Sequence, residues 1–324
     1  MHMTNFFKKN QIILFSLLTL LWSLLAWYFA DGTSGTTKIL LNQLGIFGPA
    51  IIAVLLTVMF TKSKKDLQLS SFLPFIVIVL CILFIAFRYG ESYYNSDIAG
   101  LLAHDPLAII VVSIAVAYFI FRFAVNKGRS PIGQLVNINK TNVLWYILAI
   151  TVYPLIKYGG TMLSLKLFPD QTILRSIEPV MLVPLFVFAI VFSAGIGEEV
   201  GWRGYALREL QKKYNPFKAS LFIFIYWTFW HFGYFLLVEN WPVHTIPSII
   251  LLTLVGSFMF TWFFNKTNGN VLVVILLHAS VNFAMFFVPH PIIMFSINIL
   301  ILIIVFSTGR FFKKIQIENS TRNL

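Results

Sequence analysis

Long runs of apolar residues, separated by short polar segments, dominate the chain from residue 11 to residue 308. A helix that spans a membrane needs about 20 mostly apolar residues. By that criterion the pattern predicts an all-α fold, a polytopic membrane helix bundle of about ten transmembrane helices. The predicted helices cover residues 11–30, 39–61, 71–88, 106–125, 143–165, 180–200, 219–238, 246–264, 271–288 and 292–308.

Composition agrees with this pattern and excludes most soluble proteins. Hydrophobic residues make up 58% of the chain and charged residues only 11%, against about 25% charged residues in an ordinary soluble protein. The mean hydropathy is +0.83. A chain this apolar hides its surface only in lipid, so we expect the lipid bilayer to be its surroundings.

The distribution of charge predicts an orientation. The net charge is +12, but the basic residues form short groups between apolar runs, which argues against a nucleic-acid partner. With the N-terminus in the cytoplasm, 19 of the 24 lysines and arginines fall inside, as the positive-inside rule requires. This predicts that both termini are cytoplasmic. The five basic residues left outside are Lys38, Arg88, Lys157, Lys166 and Arg175.

Ionisable side chains within apolar segments are costly and usually functional, and the first group of them begins at the end of predicted helix 180–200. Glu198 and Glu199 are adjacent, so their charges repel. Arg203 lies four residues after Glu199 on the same helix face, where an ion pair can form. Glu198 points about 100° away around the helix, which leaves it available as a general base.

The second and third groups lie on later apolar helices. His231 stands among aromatic residues, and Trp227 lies one turn earlier, where it can shield the imidazole from lipid. His278 and Asn282 are also one turn apart and share a helix face. From the predicted helix boundaries, Glu198, His231, His278 and Asn282 fall at comparable depths, so the sequence predicts that they line one cavity open to the cytoplasm.

Together these three groups resemble the motifs of a known family. The patterns Glu198-Glu199-x-x-x-Arg203, Trp227-x-x-x-His231 and His278-x-x-x-Asn282 are similar to those of the CAAX-protease and bacteriocin-processing family of intramembrane proteases (CPBP, or Abi), which includes the type II CAAX prenyl endopeptidases. The second motif of that family usually begins with Phe, where this chain has Trp227. The sequence of the first motif in this chain is the form common in bacterial members of that family. The resemblance therefore implies that the protein lies in a bacterial cell membrane.

The resemblance implies an intramembrane endopeptidase that hydrolyses a peptide bond of a membrane-associated peptide or protein. It implies that Glu198 and His231 activate a water, that His278 and Asn282 stabilise the oxyanion, and that Glu199 and Arg203 hold the site in shape. Hydrolysis needs a base for the water and donors for the oxyanion, and these residue types supply both. No serine or cysteine is arranged as a nucleophile.

A metal remains an alternative at this stage. One Glu and two His are also the ligand types of a catalytic zinc site, so Zn²⁺ held by Glu198, His231 and His278 would give a metallo-type enzyme. The H-E-x-x-H arrangement of soluble zinc proteases is missing. We therefore favour a glutamate-type enzyme without a metal or other cofactor.

The domain prediction follows from where the motifs lie. Residues 1–175 carry transmembrane helices without recognisable motifs, residues 176–308 form the catalytic transmembrane domain, and residues 309–324 form a basic cytoplasmic tail. A non-catalytic membrane protein of the bacteriocin self-immunity or abortive-infection type is the main alternative function. A transporter would predict polar residues in both halves and a repeat, and neither is seen.

Overall fold

The computed structural model describes residues 10–61, 141–169 and 195–314, together with single positions between these ranges. Predicted helices 71–88 and 106–125 and most of helix 180–200 lie outside the described residues. The described part is helical and contains no β-strand. This confirms the predicted fold class, while the total of ten helices and the sides of the two termini stay predictions.

Nine helical segments are described, numbered here in chain order. They are α1 (Gln11–Asp31), α2 (Gly35–Ile46), α3 (Gly48–Phe60), α4 (Val143–Leu167), α5 (Gly195–Glu199, Val200–Leu207 and Arg208–Gln211 without a break), α6 (Pro216–Gly233), α7 (Ile246–Lys266), α8 (Val271–Phe283) and α9 (Pro291–Thr308). The middle section of α5 is π-helical. A π-helical turn, Tyr234–Val238, extends α6, and a 3₁₀ turn, Ala284–Phe286, extends α8.

Five of the described helices are long and apolar enough to cross a membrane, or six if a bent pair counts as one span. They are α1, α4, α6 with its extension, α7 and α9. Their lengths agree with the predicted helices to within a few residues. The chain is therefore an integral, multi-pass membrane protein.

The prediction of a single helix over 39–61 is wrong, because α2 and α3 are separate and bent by 57°. Pro49 lacks an N–H group and its ring cannot fit against the carbonyl of Gly45, four residues earlier. The carbonyls freed at the end of α2 bind side chains of α1 instead: Ser23 donates to Gly45 at 2.7 Å and Trp22 to Leu44 at 2.9 Å.

The predicted end of the sixth helix at residue 200 is also wrong, because α5 continues to Gln211. Glu198 and Glu199 therefore lie inside a buried helix and not at its end. Every residue of α5 from Gly195 to Leu207 is buried. Gly201 permits this close packing, since a Cβ atom there would lie 2.5 Å from the backbone of Pro49 on α3.

Helix α8 forms the centre of the described part. All ten residues from Val271 to Ser280 are buried, because α8 packs against α4, α5 and α7. Asn270 caps the helix, and its Nδ2 donates to Thr141 Oγ1 and Tyr146 OH, each at 2.9 Å. These bonds hold the beginnings of α4 and α8 side by side.

Candidate active site

Six of the seven predicted site residues come together where α5, α6 and α8 meet. Their exposure separates them into two groups. Glu199 and Arg203 are completely buried at 0%, whereas Glu198, Trp227, His278 and His231 keep 3%, 4%, 4% and 8% of their surface exposed. Asn282 lies one turn beyond His278, near the end of α8, and is partly exposed.

The Glu199 carboxylate is the centre of the fully buried group. Its Oε1 accepts a hydrogen bond from Arg203 Nη1 at 2.8 Å, which confirms the predicted i,i+4 ion pair. The same oxygen lies 2.7 Å from Nδ1 of His278. The sequence pairs His278 only with Asn282, because spacing predicts contacts within one helix and does not predict a contact between α5 and α8. Glu199 thus fixes one nitrogen of the His278 ring.

Trp227 contacts the other three residues of the slightly exposed group. Its indole Nε1 donates a hydrogen bond to Oε2 of Glu198, while Glu198 Oε1 has no hydrogen-bond partner among the described residues. The indole ring lies 4.9 Å from the His231 ring and 5.8 Å from the His278 ring, centroid to centroid. The two rings are in contact, as their spacing predicts, while the shielding of the imidazole from lipid stays a prediction. The donated hydrogen bond was not predicted, although an indole N–H within an apolar helix is a signal for one.

The hydrogen bond of His231 defines its tautomer. Nδ1 lies 2.8 Å from the carbonyl oxygen of Trp227, and a carbonyl oxygen only accepts hydrogen bonds. Nδ1 therefore carries the hydrogen, and in the neutral ring Nε2 has the free lone pair. That atom can accept a proton.

Sequence reasoning missed one residue of the site, Phe260 on α7. The guanidinium carbon of Arg203 lies 4.7 Å from the Phe260 ring centre and 4.5 Å from that of Trp227. The two faces attract the cation, which helps to offset the buried Nε and Nη2 atoms of Arg203 that have no hydrogen-bond partner in the described part. An aromatic residue in an apolar helix gives no signal of such a role.

Comparison with known proteins agrees with this geometry. Residues 180–284 match the family model described as type II CAAX prenyl endopeptidase Rce1-like. That match covers about a third of the chain, and over it the chain is similar to this family of proteases. CAAX prenyl protease 2 of Methanococcus maripaludis is 24% identical over 205 residues, which cover 60% of this chain and 72% of that protein. The family match includes all seven predicted site residues and supports an intramembrane protease.

Metal-ligating side chains are not clustered in the described part of the chain. Within residues 10–61, 141–169 and 195–314, and the single positions between them, no three His, Cys, Asp or Glu side chains are grouped so that they could hold an ion. The alternative zinc ligands Glu198, His231 and His278 lie within these ranges. The absence of a metal from the reaction stays a prediction.

Trp227→Phe tests the hydrogen bond that the indole donates to Glu198. Phe keeps an aromatic ring beside His231 and Arg203 but removes the donor to Glu198. A hydrogen bond to a charged group contributes about 1.5–3 kcal/mol, so we expect kcat to fall about tenfold. The rate of peptide hydrolysis by the purified wild type and by Trp227→Phe measures this change in kcat. An unchanged kcat in a folded Trp227→Phe variant would show that the hydrogen bond does not position Glu198.

Proposed function

We propose that the chain is a glutamate-type intramembrane endopeptidase, which hydrolyses a peptide bond of a membrane-associated peptide or protein. The observation that carries this proposal is the position of Trp227, whose indole binds Glu198 and contacts the rings of His231 and His278. A base and two further proton-carrying groups thus meet in a nearly dry site.

In the proposed reaction, Glu198 and His231 activate one water molecule. The free oxygen Oε1 of Glu198 and the free Nε2 of His231 are the two proton acceptors, and one of them takes the proton as the water oxygen attacks the substrate carbonyl carbon. When the tetrahedral intermediate collapses, the carbon–nitrogen bond breaks and the same proton passes to the leaving amine. One water is consumed, and the products are a carboxylic acid and an amine, which exchange a proton to give a carboxylate and an ammonium group.

The oxyanion of that intermediate needs hydrogen-bond donors. We assign this role to Nε2 of His278 and to the side-chain amide of Asn282. Since Nδ1 of His278 faces the Glu199 carboxylate at 2.7 Å, Nε2 can donate only when the ring is protonated at both nitrogens. Glu199 and Arg203 are therefore positioning residues, which act through His278.

A chelator tests directly whether the reaction proceeds without a metal. The purified chain is incubated with a library of quenched fluorescent peptides, with and without 1,10-phenanthroline, a chelator of zinc. Here we expect the same rate of hydrolysis in both samples. A rate that falls with chelator and recovers on adding Zn²⁺ would overturn the glutamate-type mechanism and favour the zinc alternative.

The same assay separates the enzyme from the non-catalytic immunity or scaffold protein. Cleavage by the wild type that is lost in an equally folded Glu198→Ala variant supports the endopeptidase. If neither protein cleaves, a cellular phenotype that depends on Glu198 still indicates catalysis. A phenotype that Glu198→Ala leaves unchanged would overturn the proposal.

A further inference from the structure

A buried glutamine lies in the bent span formed by α2 and α3, outside the residues that match the family model. Gln43 is on α2, three residues before the helix ends at Ile46, and only 8% of its surface is exposed. Its Oε1 is enclosed and has no hydrogen-bond partner among the described residues. A buried polar atom without a partner is costly and rare in native proteins, so a role that completes this carboxamide is needed.

The contacts of α2 show which way Gln43 faces. Gly45 packs against the ring of Trp27 on α1, so α1 closes that side of the helix. Gln43 points about 160° away from Gly45 around the helix axis. Phe47, one turn after Gln43, packs against α5, since a Cβ atom at Gly197 would lie 3.0 Å from the Phe47 ring. Gln43 therefore faces away from α1 and shares the face of α2 that is turned towards α5.

This face is next to the two residues to which we assign the activation of water. On the α5 side, the glycine that packs against α2 directly precedes Glu198. On the α6 side, Trp27 Nε1 donates a hydrogen bond to the carbonyl oxygen of the residue before Gln43, at 3.3 Å. The ring of Trp27 lies 5.1 Å from that of Trp230, which lies 5.1 Å from the ring of His231. Gln43 is thus held between neighbours of Glu198 and neighbours of His231.

The bend after α2 is a second feature of the same place. An interruption of a helix at membrane depth is tolerated where the backbone is buried in protein or lines a cavity, and substrate sites of transporters are built on such broken helices. Here the two helices meet at an angle of 57°, and Phe47, the residue between them, is one turn from Gln43. The break and the carboxamide without a partner lie together.

The chemistry of the side chain indicates which group of a substrate would complete it. A carboxamide has N–H donors and a carbonyl acceptor in one plane, and a peptide group offers the complementary acceptor and donor. A peptide that enters the membrane loses the water that hydrates its backbone, and each group left unpaired is costly there. Because the carboxamide is neutral, it matches the backbone, which every substrate has, and not a charged side chain.

We propose that Gln43 is a substrate-binding residue whose carboxamide pairs with one peptide group of the substrate backbone beside the scissile bond. This inference rests on the proposed endopeptidase function. A helical substrate has its peptide groups paired internally, so Gln43 binds only an unwound segment. The pairing selects substrates by their backbone conformation and not by the side chain at that position.

The test removes one hydrogen-bonding partner from each side. The probe is a quenched fluorescent peptide that ends in a Cys-aliphatic-aliphatic-X sequence, with analogues in which one backbone amide outside the scissile bond is an ester. An ester lacks the N–H donor and is a weaker acceptor. In the wild type, we expect one ester position to raise KM about tenfold and to leave kcat unchanged. Gln43→Met should raise KM of the all-amide peptide by the same factor, and the ester at that position should then have no further effect.

Thermal unfolding in detergent separates substrate binding from a structural role. The Oε1 of Gln43 has no partner to lose, so Tm should not fall in Gln43→Met. Gln211→Met is the matched control, because Gln211 is 3% exposed and its amide atoms also lack partners among the described residues. It ends α5, 13 residues or about 20 Å beyond Glu198. Its replacement should leave KM and the response to the esters unchanged.

A lower Tm in Gln43→Met together with an equal loss for every peptide would show a structural role and overturn the inference. An ester series that responds in the same way with and without Gln43 would also overturn it. Both results come from hydrolysis by the wild type, so they leave the endopeptidase proposal intact.

A second arm measures binding of the all-amide peptide by fluorescence anisotropy to Glu198→Gln, with and without Gln43→Met. If neither this peptide nor the peptide library is hydrolysed by the wild type, but the peptide binds about tenfold more tightly when Gln43 is present, the endopeptidase proposal fails and the backbone-binding site stands. Absence of both hydrolysis and binding that depends on Gln43 overturns both.

Discussion

Replacing Glu198 by Gln is expected to lower kcat for peptide hydrolysis by about 10³-fold, within the range of about 10²–10⁴ that a general base contributes. The amide has almost the same shape, and its oxygen can still accept the hydrogen bond from Trp227, so packing is preserved. What is lost is the carboxylate that takes the proton from water. Single-turnover hydrolysis of a quenched peptide by the purified variant measures the change.

Glu209→Gln is the matched control for that variant. Glu209 is also on α5, but it binds Gln11 and Lys212 at the end of the helix, away from Trp227 and the histidines. Its replacement should leave kcat within a factor of about two. Wild-type activity in Glu198→Gln would remove Glu198 from the mechanism, and an equal loss in both variants would indicate a general effect on the fold.

Glu199→Leu is expected to give the largest loss of stability, about 3–5 kcal/mol in the free energy of unfolding. Arg203 is completely buried and its ion-pair partner is Glu199, so the variant leaves a guanidinium charge without its carboxylate in a dry interior. The rings of Trp227 and Phe260 remain and compensate only part of that loss. Thermal unfolding in detergent, followed by circular dichroism, measures the effect.

The double variant Glu199→Leu/Arg203→Met separates stability from activity. Removing both members of a buried ion pair is often nearly neutral, so most of the lost stability should return. Activity should not return, because His278 has lost the carboxylate that fixes Nδ1. Full activity in the stable double variant would contradict the positioning role of Glu199, and a failure to regain stability would contradict the account of Arg203.

Much of the fold follows from the apolar pattern, because a span needs a minimum length of apolar chain and little else. Helices α1, α4, α7 and α9 were predicted to within two residues at each end. The apolar pattern predicts one helix across α2 and α3, because the length of the apolar run is the only criterion applied there. The sequence Gly45-Ile46-Phe47-Gly48-Pro49 carried the signal, since Pro49 cannot continue the hydrogen bonding of α2.

The site could be predicted where spacing on one helix decides the contact. The ion pair of Glu199 with Arg203 and the contact of Trp227 with His231 are both of this kind. Contacts between helices, such as Glu199 with His278 or Phe260 with Arg203, depend on how α5, α7 and α8 pack, and a single sequence does not contain that information. The roles of the site residues in hydrolysis stay predictions.

The central claim is that water, activated by Glu198 and His231, breaks the peptide bond directly. Mass spectrometry of products formed in H₂¹⁸O during a single turnover tests it. We predict one ¹⁸O atom in the new carboxylate, no peptide bound covalently to the protein, the same yield with chelator, and product formation about 10³-fold slower in Glu198→Gln. A covalent peptide–protein intermediate, or label incorporation at the wild-type rate in Glu198→Gln, would contradict the account.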